Sequence, residues 1–541
     1  MLRNNQPAPR LAKAGWLIPA LSSVVFLLSG LALLPYPGLQ NDELFFAGPL
    51  YDPGSAFYWV HLGAAQIPLM VLSYLGTLKT GLYAGLFQFF SPGIWSVRLP
   101  VLGIGIVTIW LTWAWARRIA GVQAASVTTV LLATDTSFLL TNTFDWGPVA
   151  LQHVLLMGGL VAIQRWLQTP SNKRLLALGF FLWGLGMWDK ALLIWPLIGL
   201  AVACFCVFPL ELLKRLRVGT VTVAALAFLV GAAPLVIYNI DQPGATASTN
   251  THFTTDGLSS KVEQLRRAID GTALYGYIVT EDPGPATLTH RTLPERAAAW
   301  VDKHSGNHRQ NGMMPACLLA LVCLVSLWKK PVSRLLIFLL IVMVVEWLQM
   351  AFTQNTGGGT HHVILIWPFP LVFIGIAYSA AADRIPRFGV TALTMTIALL
   401  AAGNLLTTNR YFVDAFSNGS TGGWTDAIYP LARSLEGERS AWIGLVDWGC
   451  LTPLQVLDDG DLQLYMADAK DRAELKKNLS APNRLFVQHT EDKQMIAGVN
   501  DRFRQAVAEL GYEEQLERVV YDRFQRPVFE VFRVKESATR R

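Results

Sequence analysis

With 541 residues, 52% hydrophobic and only 15% charged, the chain lacks the charged surface of an ordinary soluble globule, where about a quarter of residues are charged. Its formal charge of +6 does not point to nucleic acid, because membrane proteins concentrate Lys and Arg in cytoplasmic loops. Cys204, Cys206, Cys317 and Cys323 lie in apolar runs and Cys450 stands alone, which excludes a disulfide framework or zinc-ligand spacing.

From the N-terminus, Arg3, Arg10 and Lys13 precede an apolar run over 14–35 that is longer than a signal-peptide core and has no small-residue cleavage site at its end. It reads as a retained first span. Further apolar windows fall at 97–116, 121–140, 147–167, 175–188, 191–209, 218–238, 314–328, 334–352, 363–380 and 388–407. The expected architecture is a polytopic α-helical membrane protein of about eleven spans, since about 20 apolar residues cross the hydrocarbon core.

Basic residues cluster in alternate loops: Arg117 with Arg118, Lys173 with Arg174, Lys214 with Arg215 and Arg217, Lys329 with Lys330 and Arg334, and Arg384 with Arg387. The positive-inside rule makes these loops and the N-terminus cytoplasmic. The outer side then receives loops 36–96 and 239–313, the turn 142–146, and everything after 407. The transmembrane domain is expected over 1–407 and an extracytoplasmic soluble α/β domain over 408–541.

The first outer loop is apolar and aromatic over 57–62 and 67–90, which predicts helices lying in the membrane interface. The second is polar, with an amphipathic helix expected near 261–269. In the C-terminal region, apolar stretches at 441–446, 462–466, 484–489 and 528–534 alternate with helical patterns at 453–457 and 501–510, an α/β pattern.

Several outer residues could carry chemistry. Asp42 and Glu43 follow the first span, and adjacent carboxylates beside a hydrophobic run are costly unless solvated or used. A carboxylate there could take a proton from an attacking hydroxyl or amine, or hold a metal ion against a lipid phosphate. A solvated turn is the plain alternative. Asp145 could face Asp42 across a cavity or cap the next helix. Lys190 could bind a lipid phosphate or be neutralised by Asp189. Arg98 offers a second phosphate donor or a snorkelling cation. His361 and His362 follow the run Gly357, Gly358, Gly359, Thr360, where imidazoles could contact phosphate, sugar or metal, or end a flexible turn. Asp135 and Glu346 fall inside predicted spans, with access to water from the outer ends expected.

Taken together, these features resemble the C-type glycosyltransferase superfamily, especially the bacterial relatives of protein O-mannosyltransferases and lipid A aminoarabinose transferases. The resemblance rests on five elements over residues 14–407. They are the Asp42-Glu43 pair after the first span, the Arg98-Leu99-Pro100 opening of the second, the Asp145 turn, Lys190 in Gly186-Met187-Trp188-Asp189-Lys190, and His361-His362 before Pro368 and Pro370. Asp189 and Ala191 depart from the Thr and Gly common in relatives. The resemblance implies transfer of a sugar from a polyprenyl-phosphate carrier to a lipid, glycan or protein acceptor on the outer face, with inversion. Asp42 is then the candidate base, Glu43 and Asp145 position the acceptor or a divalent ion, and Lys190, Arg98, His361 and His362 bind the donor phosphate. Metal dependence is left open, with Asp42 and Asp145 as its candidate ligands. A transporter or flippase of lipid-linked glycans would use the same cavity without needing the Asp42 carboxylate.

Overall fold

A computed structural model describes residues 15–281 and 292–537. Arg3, Arg10, Lys13 and the first residue of the first apolar window lie outside the described residues, as does part of the second outer loop.

Apolar helices occupy the predicted windows. They are Leu17–Leu33; Ile94–Thr134, broken at Gly121 into two; Val149–Gln168; Lys173–Asp189; Ile194–Val207; Val218–Gly231; Met313–Ser326; Val332–Phe352; Phe369–Ala382; and Gly389–Ser417. Among the described residues, Ile94–Thr134, Val332–Phe352, Thr360–Ala382 and Gly389–Ser417 are long and apolar enough to cross a membrane. A fifth joins them if Val218–Gly231 and Ala233–Asp241, bent by 74°, form one span. Leu17–Leu33, Ala191–Val207 and Met313–Ser326 are shorter apolar helices.

The carboxylates expected to reach water do not. Asp135 is 1% exposed at a break between helices, where its Oδ1 accepts the Phe138 N–H at 2.8 Å and caps Thr136–Thr141. Glu346 is fully buried on the inward face of Val332–Phe352, and neither carboxylate oxygen has a hydrogen-bond partner among the described residues.

The first outer loop also differs from expectation. Instead of interfacial helices throughout, it forms a three-stranded antiparallel sheet of β1 (Tyr58–Leu62), β2 (Ala65–Leu72) and β3 (Leu75–Gly76), followed by the helix Leu78–Leu86. The aromatic and β-branched residues of Tyr58-Trp59-Val60 favour a pleated strand. Gly63, at φ 63°, supplies the left-handed turn that pairs Leu62 with Ala65. The sheet is seated on the end of Lys173–Asp189, where the Trp188 indole donates to the Leu69 carbonyl at 2.9 Å. A side chain at Gly76 would start 2.1 Å from the Trp188 carbonyl, so this close approach requires glycine.

Beyond Ser417 the chain builds a five-stranded sheet in the order β5-β4-β6-β8-β7, with β4 (Trp442–Leu445), β5 (Gln463–Met466), β6 (Arg484–His489), β7 (Tyr512–Tyr521) and β8 (Pro527–Glu536). β4 runs parallel to both β5 and β6, and β8 pairs antiparallel with β6 and β7. β7 carries no predictable apolar run because it is an edge strand rich in charge, Tyr-Glu-Glu-Gln-Leu-Glu-Arg, as unpaired edges require. At the ends of β4 and β6, Asp447 pairs with His489 at 2.8 Å and accepts the N–H groups of Met495 and Ile496 at 2.7 and 3.1 Å, which ties down the loop before Val499–Glu509.

This domain sits directly on the loop after the first helix. Val456 packs with Leu39, Leu44 and Phe46, and the Thr452 N–H donates to Asn41 Oδ1 at 3.4 Å. The connecting segment is fastened at several points. Trp424 O accepts the Gly38 N–H at 2.6 Å, Thr421 N–H donates to Ile278 O at 3.2 Å, and Arg523 pairs with Asp426 while donating to Tyr36 O at 2.8 Å.

Candidate active site

Asp42 and Glu43 lie in a single helical turn, Asn41–Leu44, opened by a capping box: Gln40 Oε1 accepts the N–H groups of Asp42 and Glu43 at 2.6 and 3.2 Å, and Glu43 Oε2 accepts the Gln40 N–H at 3.4 Å. Successive residues in a helix point to different faces, so the two carboxylates part. Glu43 turns inward and is 1% exposed; Asp42 stays half-buried.

Glu43 meets Arg98, the fully buried cation at the start of Ile94–Thr134. Arg98 Nε and Nη2 donate to the two Glu43 oxygens at 2.7 and 2.8 Å, Nη1 to the carbonyls of Leu34 and Pro37 at 2.7 and 2.8 Å, and Nη2 to Gly38 O at 2.7 Å. Five acceptors engage all five N–H donors of the guanidinium. The expectation that Arg98 binds donor phosphate is corrected on this ground, and Glu43 is its counter-ion. Together they clamp the loop that carries Asp42.

Asp42 itself has no ion-pair partner among the described residues. Burial, opposed by hydrogen bonds from Asn41 and Gln40, raises its pKa above the ordinary carboxylate value. Its charge in turn adds to burial in raising the phenols of Tyr74 and Tyr277.

The turn 145–147 addresses three further groups in succession. Asp145 is 1% exposed; its Oδ1 accepts the Val149 and Ala150 N–H groups at 2.9 and 3.4 Å, capping Val149–Gln168, and its Oδ2 takes Lys79 Nζ at 3.0 Å. Of the two roles open to Asp145, helix capping is the one formed. Burial disfavours the Lys79 charge, but Asp145 together with Tyr83 and Glu43 outweighs it and holds the ammonium above the ordinary lysine range. Lys79 also lies 5.0 Å from the Phe46 ring centroid and 5.6 Å from that of Tyr83. Next, the Trp146 indole N–H donates to His361 Nδ1 at 2.9 Å. Finally, a Cβ on Gly147 would lie 3.4 Å from Lys190 Nζ.

Lys190 stands in extended backbone between two helices, held by a bridge to Leu75 and by the Ala191 N–H donating to Tyr74 O at 2.9 Å. It is 1% exposed, and no carboxylate lies within ion-pair distance of it among the described residues. Asp189 forms no ion pair with it; that carboxylate accepts the Gln152 amide N–H at 3.0 Å. His361 and His362 occupy the short helix Thr360–Val363, directly after the bends at 357–359, with ring centroids 4.1 Å apart. Trp146, Tyr277 and Trp424 complete an aromatic wall, with centroids 5.4 to 6.2 Å apart.

The structure therefore brings Asp42, Lys190, His361 and the Asp145 turn to one end of the helices, and sets Arg98 and Glu43 aside as scaffold. Among the described residues no group of three or more His, Cys, Asp or Glu side chains gathers into a metal cluster. Sequence reasoning missed Lys79, Trp146, Tyr277 and Trp424. Lys79 was signalled, as the one formally charged residue between Asp52 and Arg98.

Residues 82–238 match the dolichyl-phosphate-mannose-protein mannosyltransferase family. Among solved structures, ArnT from Cupriavidus metallidurans in the apo state superposes with a TM-score of 0.61 at 14% identity, covering 96% of this chain and 98% of that one. The fold is that of a C-type glycosyltransferase. The same ArnT bound to undecaprenyl phosphate gives 0.58 at 13% identity, with 96% and 98% covered. The archaeal oligosaccharyltransferase from Archaeoglobus fulgidus is more distant, at 0.49 and 13%, covering 92% of this chain and 69% of that one. No curated protein matches the chain in sequence. The resemblance to C-type glycosyltransferases read from the motifs thus holds at the level of fold and of the matched segment, and it relates the chain to transferases with lipid-linked sugar donors.

Proposed function

We propose that the protein is a membrane glycosyltransferase that moves a sugar from a polyprenyl-phosphate carrier to a lipid, glycan or protein acceptor on the extracytoplasmic face, with inversion. In this reading about eleven helices span the bilayer. The N-terminus is cytoplasmic, and the α/β domain after the last span lies outside. The observation that carries the reading is the buried Lys190 ammonium, without a carboxylate in ion-pair distance among the described residues, at the same end of the helices as the half-buried Asp42 carboxylate.

A buried cation in no direct ion pair is costly, and a ligand phosphate would supply the contact that Asp145 and Asp189 do not make. Lys190, with His361 and His362 beside it, stabilises the leaving phosphate as its charge develops. Asp42 takes the proton of the acceptor hydroxyl or amine as that group attacks the anomeric carbon from the opposite side. Asp145 and Lys79 hold the turn between these groups. Because both Asp145 oxygens are engaged, any divalent ion would rest on Asp42 with substrate oxygens.

Lys190→Met is expected to weaken binding of a polyprenyl monophosphate in lipid nanodiscs by about 10- to 100-fold, the worth of one charge-assisted hydrogen bond. Unchanged affinity would remove Lys190 from the donor site and with it the main support for this reading.

The pH dependence follows from Asp42. The active form of a base is the carboxylate, and burial raises its pKa. The acid limb of kcat/KM should therefore lie above the ordinary Asp pKa of about 3.9 and fall as pH drops through it. A limb at or below that value in the wild type would contradict the assignment.

A further inference from the structure

The imidazole of His361 has two nitrogens, and the structure fixes what one of them does. Trp146 Nε1–H is a donor only, and it points at His361 Nδ1 at 2.9 Å. Nδ1 must then be the accepting, unprotonated nitrogen, which leaves the proton of the neutral ring on Nε2. The indole cannot drift away to relax this choice. It is 5% exposed and held edge-on by Trp424 at 5.8 Å and against Tyr277 at 5.4 Å, while its neighbours in sequence are tied to Lys79 and lie against Lys190. His361 is partly accessible, whereas His362 is 7% exposed with its Nδ1 lacking a hydrogen-bond partner among the described residues. Of the adjacent pair, His361 alone has its tautomer set by a side-chain donor.

We propose that Trp146 is a positioning residue that locks His361 as the Nε2–H tautomer, so that this imidazole presents a hydrogen-bond donor to the phosphate of the lipid carrier alongside Lys190. The proposal rests on the donor-site reading above for the identity of the ligand, but the tautomer itself does not depend on any activity. Without the indole, the proton is free to move to Nδ1, and the nitrogen facing the phosphate becomes an acceptor that repels it.

The test has two arms on the full-length protein in lipid nanodiscs. In the first, histidine-selective 15N NMR, with His361 assigned by difference from His361→Gln, reads the tautomer directly. An unprotonated Nδ1 and a protonated Nε2 in the wild type, with the Nδ1–H form appearing in Trp146→Phe, support the proposal. A protonated Nδ1 in the wild type overturns it. In the second, binding of a polyprenyl monophosphate is measured across a double-mutant cycle. Trp146→Phe, which keeps the ring packing, should weaken binding by about three- to tenfold, the worth of one neutral hydrogen bond. The same change should cost nothing further in a His361→Ala background. Losses that simply multiply would show that Trp146 acts by packing and overturn the positioning role. The outcome distinguishes the two readings: if the tautomer and the binding cycle hold but no sugar transfer is detected, the positioning role stands and the transferase reading falls.

Discussion

Asp42→Asn is expected to fold normally and bind polyprenyl phosphate normally, yet to lose about 10²- to 10⁴-fold in turnover, the usual contribution of a positioned base. The asparagine keeps the size of the side chain and its place in the turn Asn41–Leu44, so the Arg98–Glu43 clamp is undisturbed. What it cannot do is accept a proton from the attacking group. The measurement is the pool of polyprenyl-phosphate sugars, by mass spectrometry, in cells lacking the protein and complemented with wild type or variant. Accumulation in the null and Asn strains, relieved by wild type, gives the sugar's mass as well as the assignment. Full rescue by the Asn variant would leave a flippase, which needs the cavity but no base, as the better account.

Arg98→Ala should act differently, on stability more than on chemistry. Removing the guanidinium strands the Glu43 carboxylate at 1% exposure and leaves the carbonyls of Leu34, Pro37 and Gly38 without these donors. Breaking one partner of a buried pair typically costs about 3–5 kcal/mol. A large fall in the unfolding temperature in detergent is therefore expected, and Arg98→Lys should recover only part of it, because an ammonium cannot reproduce the planar fork. A variant of unchanged stability that fails only in phosphate binding would restore Arg98 to the donor site.

How far the sequence could be read depended on whether a residue's role was local. The apolar windows, the place of Asp42 shortly after the first helix and the position of Lys190 between two helices are local facts, and each was legible. The role of Arg98 was not, because three of its five acceptors are backbone carbonyls, which no residue identity announces. The hairpin β1–β2 was misread as helix because a hydrophobic aromatic run beside a membrane suits either form, and only Gly63 between two short segments with Val60 and Ile67 hints at the turn. The aromatic wall could not have been assembled beforehand. Trp146, Tyr277 and Trp424 come from a turn, a long loop and the segment after the helix Gly389–Ser417, and only tertiary packing makes them neighbours.

The fastening of the connecting segment has a consequence for how the protein is made. The Arg523 guanidinium that bonds the Tyr36 carbonyl is separated from it by 487 positions, and the Trp424 carbonyl that receives the Gly38 N–H is also made late. Chains emerge N-terminus first, at about 5–20 residues per second. The first helix and the Asp42 loop must therefore wait, with Tyr36 and Gly38 lacking these partners, until Trp424 and Arg523 have been translated. A ribosome that stops short of Arg523, in the connection between β7 and β8, would deliver every apolar helix and still leave the Tyr36 carbonyl without this donor, so a turn of the C-terminal sheet is also what fastens the start of the first outer loop.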